Sequence, residues 1–147
     1  MNYSAQQFLL DNQLCFALYS ASLAMTKAYK PHLDAVGLTY PQYLVLLVLW
    51  EQDDQTVSEI GDRLYLDSGT LTPLLKRLEA SGYIQRQRDP EDERRVRIVL
   101  TTTGKQLKRK VQAVPQTLFE ATQCSRKETA AFTETLKALR HNLEPQG

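Results

Sequence analysis

Cys15 and Cys124 hold the two thiols of this 147-residue chain. They are too few and too far apart for a disulfide scaffold, and no CxxC pair or Cys/His cluster offers a zinc site. Any redox chemistry therefore rests on individual thiols. That chemistry runs through the thiolate, and an ordinary thiol with a pKa near 8.5 is only about 3% ionised at pH 7. A reactive cysteine needs hydrogen-bond donors or positive charge beside it; without them, a cysteine on an apolar helix is a small core residue. Leu14, Phe16 and Leu18 surround Cys15 with apolar side chains. Oxidation of a thiolate gives a sulfenic acid, which a second thiol can trap as a disulfide. His32 and His141 have no clustered ligands, so neither is assigned to a metal, and no cofactor is expected.

A second set of residues carries a different chemistry. Leu71, Leu74, Leu75 and Leu78 fall at i, i+3, i+4 and i+7, one apolar stripe of a helix. The opposite face holds Thr70, Thr72, Pro73, Lys76 and Arg77, with Ser68 and Gly69 leading into it. Short polar groups there can approach base edges and long cations can reach phosphates, on a helix narrow enough for a major groove. Arg86, Arg94 and Arg95 follow on what reads as a hairpin, where an arginine would enter a minor groove while Asp92 fixes an arginine in place. These residues point to double-stranded DNA.

The charge pattern agrees with that placement. Net charge is only +1, but Lys76 to Lys110 holds eleven Lys and Arg against five acids, so that this segment is +6 and the remainder −5. The positive charge lies where DNA would lie. No run of about 18 apolar residues exists and the first residues do not read as a secretory signal, so the expected compartment is the cytoplasm, with no membrane partner.

The elements that must position these residues are mostly helical. Ser4 to Gln7 has the form of a capping box, Asp11 is a second candidate cap, and a helix carrying Cys15 and Tyr19 runs to about Ala28. That helix is apolar over most of its circumference and must be covered on more than one side. Pro31 and Gly37 read as a connector, and Tyr40-Pro41 opens a core helix ending near Glu51. Thr56-Val57 could form a short strand before a helix capped by Ser58, and the presumed reading helix is capped by Ser68 or Thr70, with Pro73 allowed only within about its first turn. Tyr83–Arg88 and Arg95–Leu100 read as two strands around a polar wing loop. Thr101 to Gly104 opens a long helix kinked by Pro115, and Ser125 to Glu128 is a capping box for a last helix.

Helix, helix and basic hairpin between Val57 and Thr101 describe a winged helix-turn-helix, giving a mainly α fold with a small β wing. We read residues 1–147 as one domain, with 38–104 the winged part and the helices of 4–36 and 105–147 as surplus apolar surface for dimerisation. A two-fold dimer would offer two reading helices to half-sites about 34 Å apart, one turn of a pseudo-palindromic operator.

Several motifs together resemble the MarR family of dimeric winged-helix repressors. They are Gly37-Leu38-Thr39 before the Trp50 helix, Leu78-Glu79-Ala80-Ser81-Gly82-Tyr83-Ile84, Asp89-Pro90 with Asp92-x-Arg94-Arg95, and Leu100-Thr101-x-x-Gly104. Within it, Leu14-Cys15-Phe16-Ala17, Tyr19, Tyr29 and Leu38-Thr39-Tyr40-Pro41-Gln42-Tyr43 resemble the organic hydroperoxide sensor branch. The resemblance implies a homodimeric repressor, not an enzyme, whose Cys15 is oxidised by an organic hydroperoxide so that DNA is released. It implies that Tyr29 and Tyr40 hydrogen-bond the thiolate, with Tyr19 a weaker candidate. Cys124 resembles the two-cysteine type, in which the oxidised cysteine pairs with a thiol, here expected from the other subunit.

Helix geometry supports part of this independently. Cys15 and Tyr29 are fourteen residues apart, so on one helix they point about 40° from each other but sit about 21 Å apart along the axis. They cannot touch within one straight helix. If two copies cross antiparallel near Ser22, however, Cys15 of one lies beside Tyr29 of the other, and the relation is reciprocal. Two other assignments fit parts of the pattern: a repressor released by a small aromatic ligand with Cys15 a bystander, and a thiol peroxidase cycling Cys15 and Cys124.

Overall fold

The computed structural model describes residues 3–145. They form two compact units that divide between Val114 and Pro115. The first contains α1 (Tyr3–Gln7), a 3-10 turn (Leu10–Asn12), α2 (Leu14–Asp34), α3 (Tyr40–Glu51), β1 (Gln55–Thr56), α4 (Val57–Leu64), α5 (Ser68–Ala80), β2 (Ile84–Arg88), β3 (Val96–Leu100) and α6 (Thr102–Lys110). α7 (Val114–Ala121) and α8 (Arg126–Leu143) follow. The antiparallel sheet has the order β1-β3-β2, with Thr56 opposite Arg97 and Gln87 opposite Arg97 on its other side.

The core of the first unit is built around α3. Thr39 and Gln42 form a reciprocal capping box, Pro41 occupies the opening turn, and Val45, Leu46, Val48 and Leu49 are buried. Leu71, Leu75 and Leu78 of the α5 stripe are buried with Ile60, Ile84 and Ile98, which leaves the opposite face of α5 exposed. The helix-turn-helix is tight: a Cβ on Gly61 would stand 2.7 Å from the Leu66 carbonyl oxygen. Among the described residues no helix is long and apolar enough to cross a membrane.

Several boundaries differ from the sequence expectations. α2 does not stop near Ala28, and Pro31 is not in a connector; it lies inside a helix that continues to Asp34. Proline removes one backbone donor and crowds the preceding turn, but Pro31 and Lys27 are both exposed, so the carbonyl that loses its partner is left to water. The stop comes from Gly37 at φ 73°, after which the Leu38 N–H donates to the Leu33 carbonyl and both leucines are buried.

Asp11 is not the cap of α2. It sits in the 3-10 turn, and Gln13 occupies the N-cap without a side-chain hydrogen bond. Thr56, not Ser58, caps α4, and Asp67, not Ser68 or Thr70, caps α5 by accepting from the Thr70 N–H. Pro73 is the sixth residue of α5, beyond the first turn. The expected long helix with a kink is instead α6 and α7, broken at Val111–Ala113, with Pro115 in the opening turn of α7 where its missing donor costs nothing. Ser4 lies within α1, and its side chain is outside the described residues. The Ser125 and Glu128 capping box of α8 is present in full.

Candidate functional site

Tyr29, near the C-terminal end of α2, and Tyr40, in the first turn of α3, stack with ring centroids 4.8 Å apart. The Gly37 turn brings them together, because it folds α3 back against the end of α2. Tyr43 completes a triangle, 5.8 Å from Tyr29 and 6.4 Å from Tyr40, and continues to Trp50 at 6.4 Å. Burial pushes the Tyr29 hydroxyl up to about 12, with the neighbouring Tyr40 and Tyr43 adding to it, and burial likewise raises Tyr40 and Tyr43. The phenols are thus held as proton donors. Beside Tyr40 lies an apolar cavity of about 300 Å³, lined by Leu23, Thr26, Lys27, Leu33, Leu38 and Pro41 among others.

Cys15 is at the other end of the same helix, the second residue of α2, and it is an exposed free thiol. In that turn the backbone N–H groups lack intrahelical acceptors. About 21 Å of helix axis separates Cys15 from Tyr29, so one chain holds the thiol and the phenols apart. Tyr19, one turn from Cys15, is 62% exposed and near none of the other three rings. Phe16, Leu23 and Met25 are also exposed, so α2 carries open apolar surface on more than one side.

Cys124 stands in the turn between α7 and α8, after Gln123 at φ 56°. Its Sγ donates to the Thr122 carbonyl at 3.4 Å, its N–H donates to the Thr122 hydroxyl, and it is half-buried and free. On α8, Phe132, Leu136 and Leu143 are exposed.

The residues expected on a DNA face lie on one surface in part. Ser68, Gly69, Thr70, Pro73, Lys76 and Arg77 are exposed and Thr72 half-buried. Ser68 and Thr72 line a cleft of about 530 Å³ together with Arg94 and Arg95 of the wing. Asp92 organises the wing loop: its Oδ1 accepts from the Arg94 N–H at 3.0 Å and from Arg94 Nε at 3.2 Å, while its carbonyl accepts from the Arg95 N–H. The Arg94 side chain remains 92% exposed. Arg86 is different, because its Nε and its N–H both donate to the Glu79 carboxylate, which lowers the pKa of Glu79.

Sequence reasoning left out Tyr43 and the acids of the α3–β1 loop. Tyr43 sits one turn after Tyr40, a spacing that was visible, but in an almost wholly apolar helix it read as core. Asp54 and Asp89 both hold Arg97, a long-range arrangement with no signature in local spacing.

A family model described as Transcriptional regulator SarA/Rot matches residues 27–111. The chain is 57% identical over 110 residues to the organic hydroperoxide resistance transcriptional regulator of Bacillus subtilis, spanning 75% of each. It is 54% identical over 134 residues to the regulator TtmR of Methylorubrum extorquens, spanning 91% of this chain and 69% of that one. Among solved structures, reduced AbfR bound to DNA is similar at a TM-score of 0.79 and 39% identity, over 97% of this chain and all of the other. The disulfide form of AbfR, a protein of Staphylococcus epidermidis, matches at a TM-score of 0.64 and 39% identity, over 98% of this chain and 99% of the other. The chain therefore belongs to the SarA/Rot family of MarR-like winged-helix transcriptional regulators, which are not enzymes, on the branch that holds the organic hydroperoxide resistance regulators.

Proposed function

We propose that this chain is a cytoplasmic homodimeric repressor that binds a pseudo-palindromic operator and releases it when an organic hydroperoxide oxidises Cys15. The observation that carries the reading is the placement of thiol and phenols at opposite ends of one helix with open apolar surface. Neither half works alone. Antiparallel pairing of two α2 helices near Ser22 covers apolar surface and sets Cys15 of one chain beside Tyr29 and Tyr40 of the other, twice per dimer.

The Cys15 thiolate attacks the distal peroxide oxygen; the O–O bond breaks, the alkoxide takes a proton to leave as the alcohol, and sulfur is oxidised to the sulfenic acid. The phenols of Tyr29 and Tyr40 donate to the thiolate and steady it. The Cys124 thiol of the other subunit then attacks the sulfenic sulfur, forming a disulfide and releasing water. The resulting strain at the interface changes the spacing of the two α5 helices, so that half-sites about 34 Å apart are no longer met together. AbfR, to which the chain is similar, has been solved both reduced on DNA and in a disulfide form, the two states this reading requires.

In the test, the full-length reduced chain receives one equivalent of cumene hydroperoxide and is run under non-reducing conditions. A covalent dimer is expected, lost on reduction and lost with Cys124→Ser; a monomer band that persists while DNA is released would remove the intersubunit disulfide. Cumyl alcohol, which has no peroxide bond, is the control. Release by the alcohol would favour the second reading, a ligand-released repressor using the apolar cavity beside Tyr40.

The phenols also set a pH expectation. A raised hydroxyl pKa means that the proton is kept at higher pH than in a free tyrosine. As pH rises through about 10, where ordinary phenols ionise, the rate of Cys15 oxidation is expected not to fall, because Tyr29 stays a donor until about 12. A decline centred near pH 10 in stopped-flow oxidation would show that these phenols are not the donors.

A further inference from the structure

Arg97 is one of the eleven basic residues of the Lys76 to Lys110 segment, yet its guanidinium is engaged by acids of the same chain. Its Nε donates to Asp54 Oδ1 at 2.7 Å, one terminal nitrogen donates to the Asp54 carbonyl at 2.9 Å, and the other faces Asp89 Oδ2 at 3.7 Å. Both acids sit at structural joints. Asp54 lies in the α3–β1 loop at φ 59°, and Asp53 beside it accepts from the Leu100 N–H at 2.9 Å. Asp89, which is buried, closes the base of the wing: its N–H donates to the Arg95 carbonyl and its Oδ1 accepts from the Glu91 N–H.

We infer that Arg97 is a positioning residue for DNA binding, a three-way clamp that fixes the wing against the helix-turn-helix. This rests on the DNA-binding function proposed above, with Arg94 of the wing as a DNA contact. β3, which carries Arg97, lies between β1 and β2, and β1 ends at Thr56, the residue that caps α4. One side of Arg97 is thus tied to the loop that leads into the first reading-domain helix, and the other to the base of the loop that carries Arg94. With two carboxylates around it, Arg97 has no net charge to offer a phosphate. An Arg fork suits this task because its donors diverge in a fixed plane, which a lysine cannot copy. The Asp54 pair, with its carboxylate more than half exposed, adds little to folding stability, so its part in the arrangement is orientation.

The experiment is a double-mutant cycle on the full-length reduced chain, using a DNA duplex selected in vitro for binding to it. Arg94→Ala and Arg97→Ala are each expected to weaken binding about tenfold, while the double variant is weaker than Arg94→Ala alone by less than about threefold, since a wing without its contact gains nothing from being aimed. Asp54→Asn, which tolerates the same left-handed backbone, is expected to weaken binding in the Arg94 background-dependent way that Arg97→Ala does, and guards against an Arg97 variant that misfolds. In the Arg94→Ala background, Arg97→Ala should leave the slope of log affinity against log salt unchanged, whereas loss of a phosphate contact would lower it by about 0.9 for each subunit of the dimer. Additive losses, or a changed slope, overturn the clamp. If Arg94→Ala binds like the parent, the wing reading itself fails, and if the parent selects no duplex, the DNA reading fails.

Discussion

Cys15→Ser is expected to give a repressor that binds DNA as the parent does, within about twofold, but no longer lets go. In the parent, one equivalent of organic hydroperoxide should lower operator affinity by about 100-fold, the upper part of the range for coupling between two sites in one protein. In the serine variant the same treatment should change affinity by less than about twofold. The reasoning is chemical. Serine matches cysteine in shape and keeps the opening turn of α2, but its hydroxyl is not ionised near neutral pH and does not reduce a peroxide. Cys15 is exposed and no part of the buried core, so folding is not at issue. Fluorescence anisotropy of a labelled duplex before and after cumene hydroperoxide reads the result, and release from the serine variant as complete as from the parent would sink Cys15 as the sensor.

The largest effect on folding is expected at Gly104. It is the third residue of α6, its N–H donates to the Thr101 hydroxyl, and its carbonyl accepts from Trp50 Nε1 at 3.0 Å. A Cβ there would fall far inside contact distance of the Tyr83 carbonyl oxygen. That carbonyl is backbone and already accepts from the Thr101 N–H, while the Thr101 hydroxyl donates to Gly82, so nothing flexible can yield. Relieving the clash means parting α6 from the start of the hairpin and breaking the Trp50 bond. Overpacking of this kind costs about 3 kcal/mol or more. The gain from replacing glycine inside a helix is at most about 1 kcal/mol, so the sign is set by the clash. Gly104→Ala should shift the urea midpoint sharply downwards at fixed protein concentration, with Trp50 fluorescence as the probe. Gly69→Ala is the control: its nearest neighbour would be Asp67 Oδ1 at 3.4 Å, and its midpoint should stay level or rise slightly. A Gly104→Ala midpoint equal to that of the parent would show that α6 can slide freely.

The helices that pack on one side were legible in the sequence. Leu71, Leu75 and Leu78 read as a stripe because burial imposes the helical period on apolar residues, and the Ser125 cap read correctly because its bonds are local. Proline is a poor guide to helix boundaries at three positions. Pro31 and Pro73 both suggest a nearby helix boundary, but the cost of an interior proline is a few kcal/mol, which helix packing can exceed. Pro115 lies after a break already made at Val111–Ala113, not at a kink of its own. The caps Thr56 and Asp67 were each missed in favour of another polar neighbour, because several residues in a row could accept from the same N–H groups. At the candidate site, the types and positions of Cys15, Tyr29 and Tyr40 were legible. The stacking of Tyr43 on them and the hold of Asp54 and Asp89 on Arg97 were not, since each depends on segments brought together only by the fold.

The pairing of Cys15 with phenols from a second chain is open to direct measurement by complementation. A Cys15→Ser chain keeps the tyrosines and a Tyr29→Phe, Tyr40→Phe chain keeps the thiol; tagged differently and co-purified as a heterodimer, they rebuild one whole site only if the site is shared. Each lost donor to a charged group is worth about 1.5–3 kcal/mol, so the double phenylalanine homodimer should be oxidised at least about tenfold more slowly than the parent. In the heterodimer, the single Cys15 is expected to react with one equivalent of cumene hydroperoxide at the parental rate. Reaction as slow as in the phenylalanine homodimer would place thiol and phenols in the same chain and contradict a sensor built across the dimer.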